Sequence, residues 1–127
     1  ILLNKFYPSN QYKIFEHPSN VHRKISEAVI YINSSYMCEI TLDSISSRFH
    51  ISKYYFARLF KEVTGLTFID YLNIIRLKEA QSILVNTNLT ISRISNEVGY
   101  SDSSYFCRIF KKYYHISPAQ YRKLNSR

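Results

Sequence analysis

Glycine and proline are scarce, with two glycines and three prolines in 127 residues. Polar turn clusters are few as well. A sandwich or barrel needs frequent turns, so this shortage points to helices joined by short connections. Cysteine is limited to Cys38 and Cys107, which make no disulfide framework, and a reduced cytoplasmic chain is the expectation. No apolar run approaches the ~20 residues that span a bilayer. The opening Ile1-Leu2-Leu3-Asn4-Lys5-Phe6 lacks the charged n-region and small-residue cleavage site of a signal peptide. It also lacks an initiator Met, which suggests a fragment or a processed chain. His17, His22, His50 and His115 are scattered without ligand spacing, so no metal site is expected. No nucleophile–base pair and no phosphate loop stands out. Neither an enzyme nor a cofactor is expected.

Hydrophobic residues make up 46% of the chain, enough to bury a core in one domain or two very small ones. The formal charge is +8, from 17 Lys and Arg against 9 Asp and Glu. Such a surface suits a polyanion, either nucleic acid or an anionic membrane. The charge is uneven: residues 36–87 hold six basic and five acidic side chains, and residues 88–127 hold seven and two. A membrane role fits the charge but not the helices, whose apolar faces are needed for a core.

The chain contains an internal repeat, in which residues 41–71 resemble residues 90–121. Thr41, Ile45, Ser46 and Ser52 match Thr90, Ile94, Ser95 and Ser101. One extra residue then shifts the register. Tyr55-Phe56, Arg58, Phe60-Lys61 and Tyr71 match Tyr105-Phe106, Arg108, Phe110-Lys111 and Tyr121. Apolar exchanges fill the gaps: Leu42 with Ile91, Phe49 with Val98, Leu59 with Ile109, and Leu66 with Ile116.

Each copy reads as a short helix, a turn and a longer helix. Thr41 and Thr90 are natural N-caps. Leu42, Ile45 and Phe49 face inward in the first copy, as do Ile91, Ile94 and Val98 in the second. Ser52 caps the longer helix of the first copy, and Ser101 or Asp102 that of the second. Their buried stripes are Phe56, Leu59, Phe60 and Val63, and Phe106, Ile109, Phe110 and Tyr113. Gly65 fits a left-handed helix end, and Gly99 a turn of positive φ. Thr67 with Asp70 suggests a capping box opening one long helix to Asn86, roughly 30 Å of rod. Its apolar side would be Phe68, Leu72, Ile75, Leu77, Ala80 and Leu84. Ser117-Pro118 opens a last helix. Another amphipathic helix runs from Asn20 to about Ser34, with Val21, Ile25, Val29 and Ile32 on one side. The expected fold is all-α with seven helices. Residues 1–19 are read as a linker or arm, 20–66 as a first helix-turn-helix subdomain, 67–86 as the linker helix, and 87–127 as a second subdomain.

A short helix, a tight turn and a second helix can place the second helix in the DNA major groove. The outer face of that helix carries Lys53, Tyr54, Ala57, Arg58 and Lys61 in one copy, and Ser103, Ser104, Cys107, Arg108 and Lys111 in the other. Arg grips guanine O6 and N7, Ser donates or accepts, and Tyr and small side chains touch a thymine methyl. Ordinary solvated helix faces are the competing reading. Two aligned copies with Arg in the same place favour DNA. Arg58 and Arg108 could also contact phosphate, as half or more of protein–DNA hydrogen bonds do. Lys53, Lys61, Lys111 and Lys112 are assigned to phosphates, together with Arg93 near a helix start. Arg76 with Glu79 is read as an anchor of the linker helix. Cys107 is read as a small interface side chain rather than a redox sensor. Most of the 20 aromatic residues sit at core spacing, with Tyr54 and Tyr55 the exceptions that could face DNA.

The segment from Val98 to Lys112, followed by Ile116-Ser117-Pro118-Ala119-Gln120-Tyr121-Arg122, resembles the signature of the AraC/XylS family of transcription regulators. The stretch Ile51–Lys61 with Thr64-Gly65 agrees with it, as do Tyr71-Leu72 and Arg76-Leu77, so the resemblance covers residues 20–125. It implies two helix-turn-helix subdomains whose recognition helices enter successive major grooves. By position, Tyr54, Ala57 and Arg58 face bases in the first unit, and Ser103, Ser104, Cys107 and Arg108 in the second. The resemblance further implies that the first unit gives more of the base specificity. Ser46 and Ser95 stand where the family usually has alanine. A buried hydroxyl needs a partner, so slightly loosened packing is expected there. Most members carry an effector or dimerisation domain upstream, and residues 1–35 are too short for one. Either it was cut away or the chain is of the smaller, single-domain kind.

The expected function is sequence-specific binding of double-stranded DNA by a monomeric module of a bacterial-type regulator. A full-length parent could dimerise through a missing domain. RNA polymerase is a further partner to weigh, and no membrane partner is expected. The alternative is a protein-interaction or architectural module with only non-specific DNA affinity, because the second unit offers few base readers beyond Arg108.

Overall fold

The structure, a computed structural model, describes residues 20–125. Seven helices make it up: α1 Asn20–Ser35, α2 Leu42–Arg48, α3 Lys53–Thr64, α4 Phe68–Asn86, α5 Ile91–Glu97, α6 Ser103–Tyr114 and α7 Pro118–Asn125. No strand occurs among the described residues, so the all-α expectation holds. The arm expected over residues 1–19 and the side chain of Val21 lie outside what is described. The helices form two units, residues 20–35 with Ile40–Leu72 and Tyr36–Glu39 with residues 73–125.

In the first unit Thr41 starts α2 with a full capping box. Its hydroxyl accepts from the Ser44 N–H at 3.0 Å, and the Ser44 hydroxyl accepts from the Thr41 N–H at 2.9 Å. Two otherwise orphaned donors are thereby satisfied. Ser52 stands at the cap of α3, but its hydroxyl makes no cap bond. Only its carbonyl is used, by the Phe56 N–H at 2.8 Å. Ile25, Ala28, Val29 and Ile32 of α1 are buried, with Ile45, Phe56, Leu59 and Phe60. Leu42, Phe49 and Val63 are only half-buried. Phe68 sets its edge against both Phe56 and Phe60. Tyr71 stands edge-on to Phe60 with centroids 5.5 Å apart, and its hydroxyl meets the Asn33 amide at 3.4 Å.

The second unit repeats this plan. Thr90 accepts from the Arg93 N–H at 3.1 Å. Of the two expected caps for α6, Asp102 is the one used, accepting from Ser104 at 2.9 Å and Tyr105 at 3.4 Å. Leu77, Ala80, Leu84, Ile94, Val98, Tyr100, Phe106 and Phe110 form one buried cluster. Tyr121 lies edge-on to Phe110 at 5.6 Å, and its hydroxyl accepts from the Gln81 amide. Ser117 and Gln120 form the capping box of α7. Arg122 reaches back to the end of α4, donating to the carbonyls of Leu84 at 3.0 Å and Thr87 at 3.3 Å. A cation there meets carbonyls that have no intrahelical partner.

Helix α4 buries five of the six residues expected on its apolar side and adds Tyr71, Asn73 and Arg76 to them. Within the first unit it buries Phe68, Tyr71 and Leu72; within the second it buries Asn73, Arg76, Leu77, Ala80 and Leu84. Ile75 is only half-buried. Arg76 is an anchor as expected, but not through Glu79. Its guanidinium donates to the carbonyls of Tyr36 at 2.7 Å and Cys38 at 2.8 Å, and lies 5.2 Å from the Tyr100 ring. Burial lowers the basicity of Arg76 and raises the Tyr100 phenol. The phenol donates to Asn73 Oδ1 at 2.6 Å. The loosening expected at Ser46 and Ser95 is not found. Ser46 donates to the Asp43 carbonyl at 3.2 Å, and Ser95 to the Tyr100 carbonyl at 3.3 Å.

Two left-handed positions recur in each copy. At the turn between the helices stand His50 (φ 57°) and Gly99 (φ 108°); at the end of the second helix stand Gly65 (φ 83°) and His115 (φ 70°). Each copy thus uses one glycine and one histidine, in exchanged places. At Gly99 more than φ is at stake, because a Cβ would meet the Tyr36 carbonyl oxygen at 2.6 Å and Arg76 Nε at 2.8 Å. Gly65→Ala should cost about 1 kcal/mol from φ alone, and Gly99→Ala about 3 kcal/mol, at the upper end for single changes. Urea unfolding of the two variants checks the order; equal losses would contradict it. The caps give a second contrast. Asp102→Ala should cost about 1 kcal/mol, whereas Ser52→Ala should fall within about 0.5 kcal/mol of the parent. The same unfolding series reads both.

Candidate nucleic-acid interface

With the apolar stripes of α3 and α6 turned inward, their other sides remain for solvent. On α3 Tyr54, Arg58 and Lys61 are exposed, while Ala57 and Lys53 are half-buried. On α6 Ser104, Arg108, Lys111 and Lys112 are exposed, while Ser103 and Cys107 are half-buried. Positions 54, 57, 58 and 61 follow the i, i+3, i+4, i+7 spacing of one helix face. Positions 104, 107, 108 and 111 do the same. Each helix therefore gathers its own candidates on one side. Tyr54 is 80% exposed, an unusual position for so large a ring.

Both arginines rest on a tyrosine three residues earlier. The Arg58 guanidinium lies 5.1 Å from the Tyr55 ring, and that of Arg108 lies 5.6 Å from the Tyr105 ring. The two rings remain 39% and 36% exposed. The expectation that Tyr55 faces DNA leaves out this contact, and periodicity alone gives Tyr105 no role. The signal was present as a Tyr–Arg pair at i, i+3 in both copies, a spacing that brings side chains together on a helix.

Two of the expected phosphate contacts have local ion partners. Lys53 Nζ lies 3.3 Å from Asp43, and Arg93 Nε lies 2.9 Å from Glu97. Exposed pairs of this kind contribute roughly 0–1 kcal/mol, so a phosphate could displace either carboxylate. Lys61, Lys111 and Lys112 belong to neither of these two pairs. Cys107 packs partly against the second unit's core, and burial raises its thiol pKa. Less thiolate means a slower redox response. No group of metal-ligating side chains occurs among the described residues. A cleft of about 600 Å³ is lined by α4, the segment after it and α7, with no residue from α3 or α6. The candidate faces carry exposed side chains at Tyr54, Arg58, Lys61, Ser104, Arg108 and Lys111. No helix among the described residues is long and apolar enough to cross a membrane.

Comparison with known proteins accords with this geometry. A family profile described as a helix-turn-helix domain matches residues 45–124. Regulatory protein PocR of Salmonella typhimurium is 31% identical over 106 residues, which cover 84% of this chain and 35% of PocR. The chain thus spans about a third of that relative's length. Among solved structures, the C-terminal domain of AraT, a response regulator from Geobacillus stearothermophilus, superposes with a TM-score of 0.78 at 33% identity. That match covers 82% of this chain and 87% of the AraT domain. The DNA-binding domain of AdpA, solved with a target DNA, shares the fold at a TM-score of 0.75 and 21% identity, covering 79% of this chain and 90% of that one. The relatives named here are regulators rather than enzymes. The paired helix-turn-helix units, the matched profile and these neighbours together place the chain in the AraC/XylS family, as a DNA-binding domain of a transcription regulator.

Proposed function

We propose that this domain binds double-stranded DNA sequence-specifically and reads two successive major-groove segments of a promoter, one with α3 and one with α6. The observation that carries the reading is the duplicated outer face. An exposed arginine lies over a tyrosine at the same place on the second helix of each helix-turn-helix. In this reading residues 20–66 and 87–127 are the two reading subdomains, and residues 67–86 join them. Tyr54, Ala57 and Arg58 meet bases in one groove, and Ser103, Ser104, Cys107 and Arg108 in the next. Lys53, Lys61, Arg93, Lys111 and Lys112 meet phosphates. The first unit reads more of the sequence, because it presents Tyr54 beside its arginine. The second grips more of the backbone, because α6 carries both Lys111 and Lys112 and no acidic residue.

Selection from random duplex DNA, followed by affinity measurements on the enriched sequence, tests the proposal. Arg58→Ala and Arg108→Ala should each weaken binding by ~1–3 kcal/mol and relax preference at one position. Lys111→Ala should weaken all duplexes alike and lower the salt slope by about one. The footprint should exceed one helical turn, about 10 base pairs. A pool without an enriched motif would favour the docking or architectural role instead.

A further inference from the structure

We propose that Tyr55 and Tyr105 are positioning residues for sequence readout, each holding its arginine in a pose ready to grip a base. The inference rests on the DNA-reading role of α3 and α6 given above. A guanidinium held over a ring by cation–π attraction keeps its N–H donors in its own plane, at its edge. Those edge donors form the bidentate grip on guanine O6 and N7. Stacking and reading are therefore compatible in one pose. An exposed arginine otherwise samples many rotamers, and ordering it on binding costs free energy. The ring removes part of that cost beforehand. The geometry recurs in both copies, at 5.1 Å for Arg58 on Tyr55 and 5.6 Å for Arg108 on Tyr105. Neither arginine has a carboxylate partner among the ion pairs of the described residues.

The second copy adds a backing to the shelf. Tyr105 lies 5.9 Å from the Tyr100 ring, and the buried Arg76 guanidinium lies 5.2 Å from Tyr100. Arg76 is itself fixed by the Tyr36 and Cys38 carbonyls, and Tyr100 by Asn73. Cation, ring, ring and cation follow one another from the core to the outer face. Ile51 occupies the place of Tyr100 in the first copy, so that place behind Tyr55 holds no ring among the described residues.

The test uses the whole 127-residue chain and the duplex enriched by selection, with circular dichroism to verify folding. Tyr55 and Tyr105 are each changed to Leu and to Phe, alone and together with Arg58→Ala or Arg108→Ala. An exposed cation–π contact is worth two- to five-fold in affinity, converted from about 0.5–1 kcal/mol. The Leu variants should therefore lose about two- to five-fold on the selected duplex. They should lose clearly less on random duplex, and nothing further once the arginine is gone. The Phe variants keep the ring and should restore most of the binding. Two outcomes overturn the positioning role: a Leu loss that persists in the arginine-free background, or tighter binding by the Leu variants. If the arginine variants alone leave base preference intact, the DNA-reading role of those arginines is what fails. If they relax preference while the Leu variants match the parent, only the positioning role fails.

Discussion

Each unit is closed by one tyrosine that ties three helices together. Tyr71, on the first turn of α4, sets its edge against Phe60 of α3 and its hydroxyl against Asn33 of α1. Tyr121 on α7 does the same with Phe110 of α6 and Gln81 of α4. An edge-on aromatic pair is worth ~0.5–1.5 kcal/mol beyond the area it buries, and the phenol still needs a polar partner inside. An amide on an earlier helix meets that need. The repeating unit is consequently four helices rather than two. In the first unit α1, α2, α3 and the start of α4 fill the places that the rest of α4, α5, α6 and α7 fill in the second. One continuous helix thus supplies the closing tyrosine of one unit and the amide anchor of the other. With the inner sides of α3 and α6 spent on Phe56, Phe60, Phe106 and Phe110, most of their outer sides is left exposed.

Polar groups inside the units are handled with similar economy. No buried side-chain nitrogen or oxygen among the described residues lacks a hydrogen-bond partner. Thr64 is a compact case: its hydroxyl donates toward the carbonyls of Phe60 and Leu66 and accepts from the Leu66 N–H, just where α3 ends at Gly65. Arg76 is the demanding case, since a buried charge without partners is expensive. Two carbonyls and the face of Tyr100 supply them. That arrangement dictates Gly99, because any side chain there would occupy the space where Arg76 meets the Tyr36 carbonyl.

What could be read from the sequence followed from periodicity and from residues with one strong local habit. The seven helices, the Thr41 and Thr90 caps, the Ser117-Pro118 start and the two glycine turns all belong to that class. What escaped reading depended on partners distant in sequence. Arg76 has Glu79 nearby on its own helix, yet carbonyls some forty residues away hold it. Ser95 looks like a packing fault because the Tyr100 carbonyl that satisfies it comes within reach only once the turn is folded, whereas Ser46 is satisfied inside its own helix by the Asp43 carbonyl. His50 and His115 gave no sign of left-handed backbone, since histidine has no strong habit there; only alignment with Gly99 and Gly65 reveals it. The apolar side expected along α4 is buried at five of its six positions, and what it missed, Tyr71, Asn73 and Arg76, belongs to a helix shared by two units. On the candidate faces the arginines and lysines were legible as charges. The contacts of the arginines with Tyr55 and Tyr105 are not legible in that way, because charge and periodicity place Tyr55 toward DNA and Tyr105 in no role, and neither pairs a ring with an arginine.

The two arginines occupy equivalent scaffold positions but not equivalent surroundings. Arg58 stands on a ring with Tyr54 beside it, largely exposed. Arg108 stands on a ring that leans on Tyr100 and, through it, on the buried Arg76. A stiffer support narrows the poses an arginine can adopt, which sharpens discrimination for one base geometry and weakens tolerance of others. A looser support keeps more poses open and lets neighbouring side chains share the reading. In the proposed reading the first helix has such a neighbour in Tyr54, whereas the second has the small Ser104 in the corresponding place. Where one side chain must carry most of the base contact alone, pre-ordering it is the remaining route to specificity, since its neighbours are too short to compensate for a misplaced guanidinium. The ring stack behind Arg108 and its absence behind Arg58 fit that difference in what surrounds them.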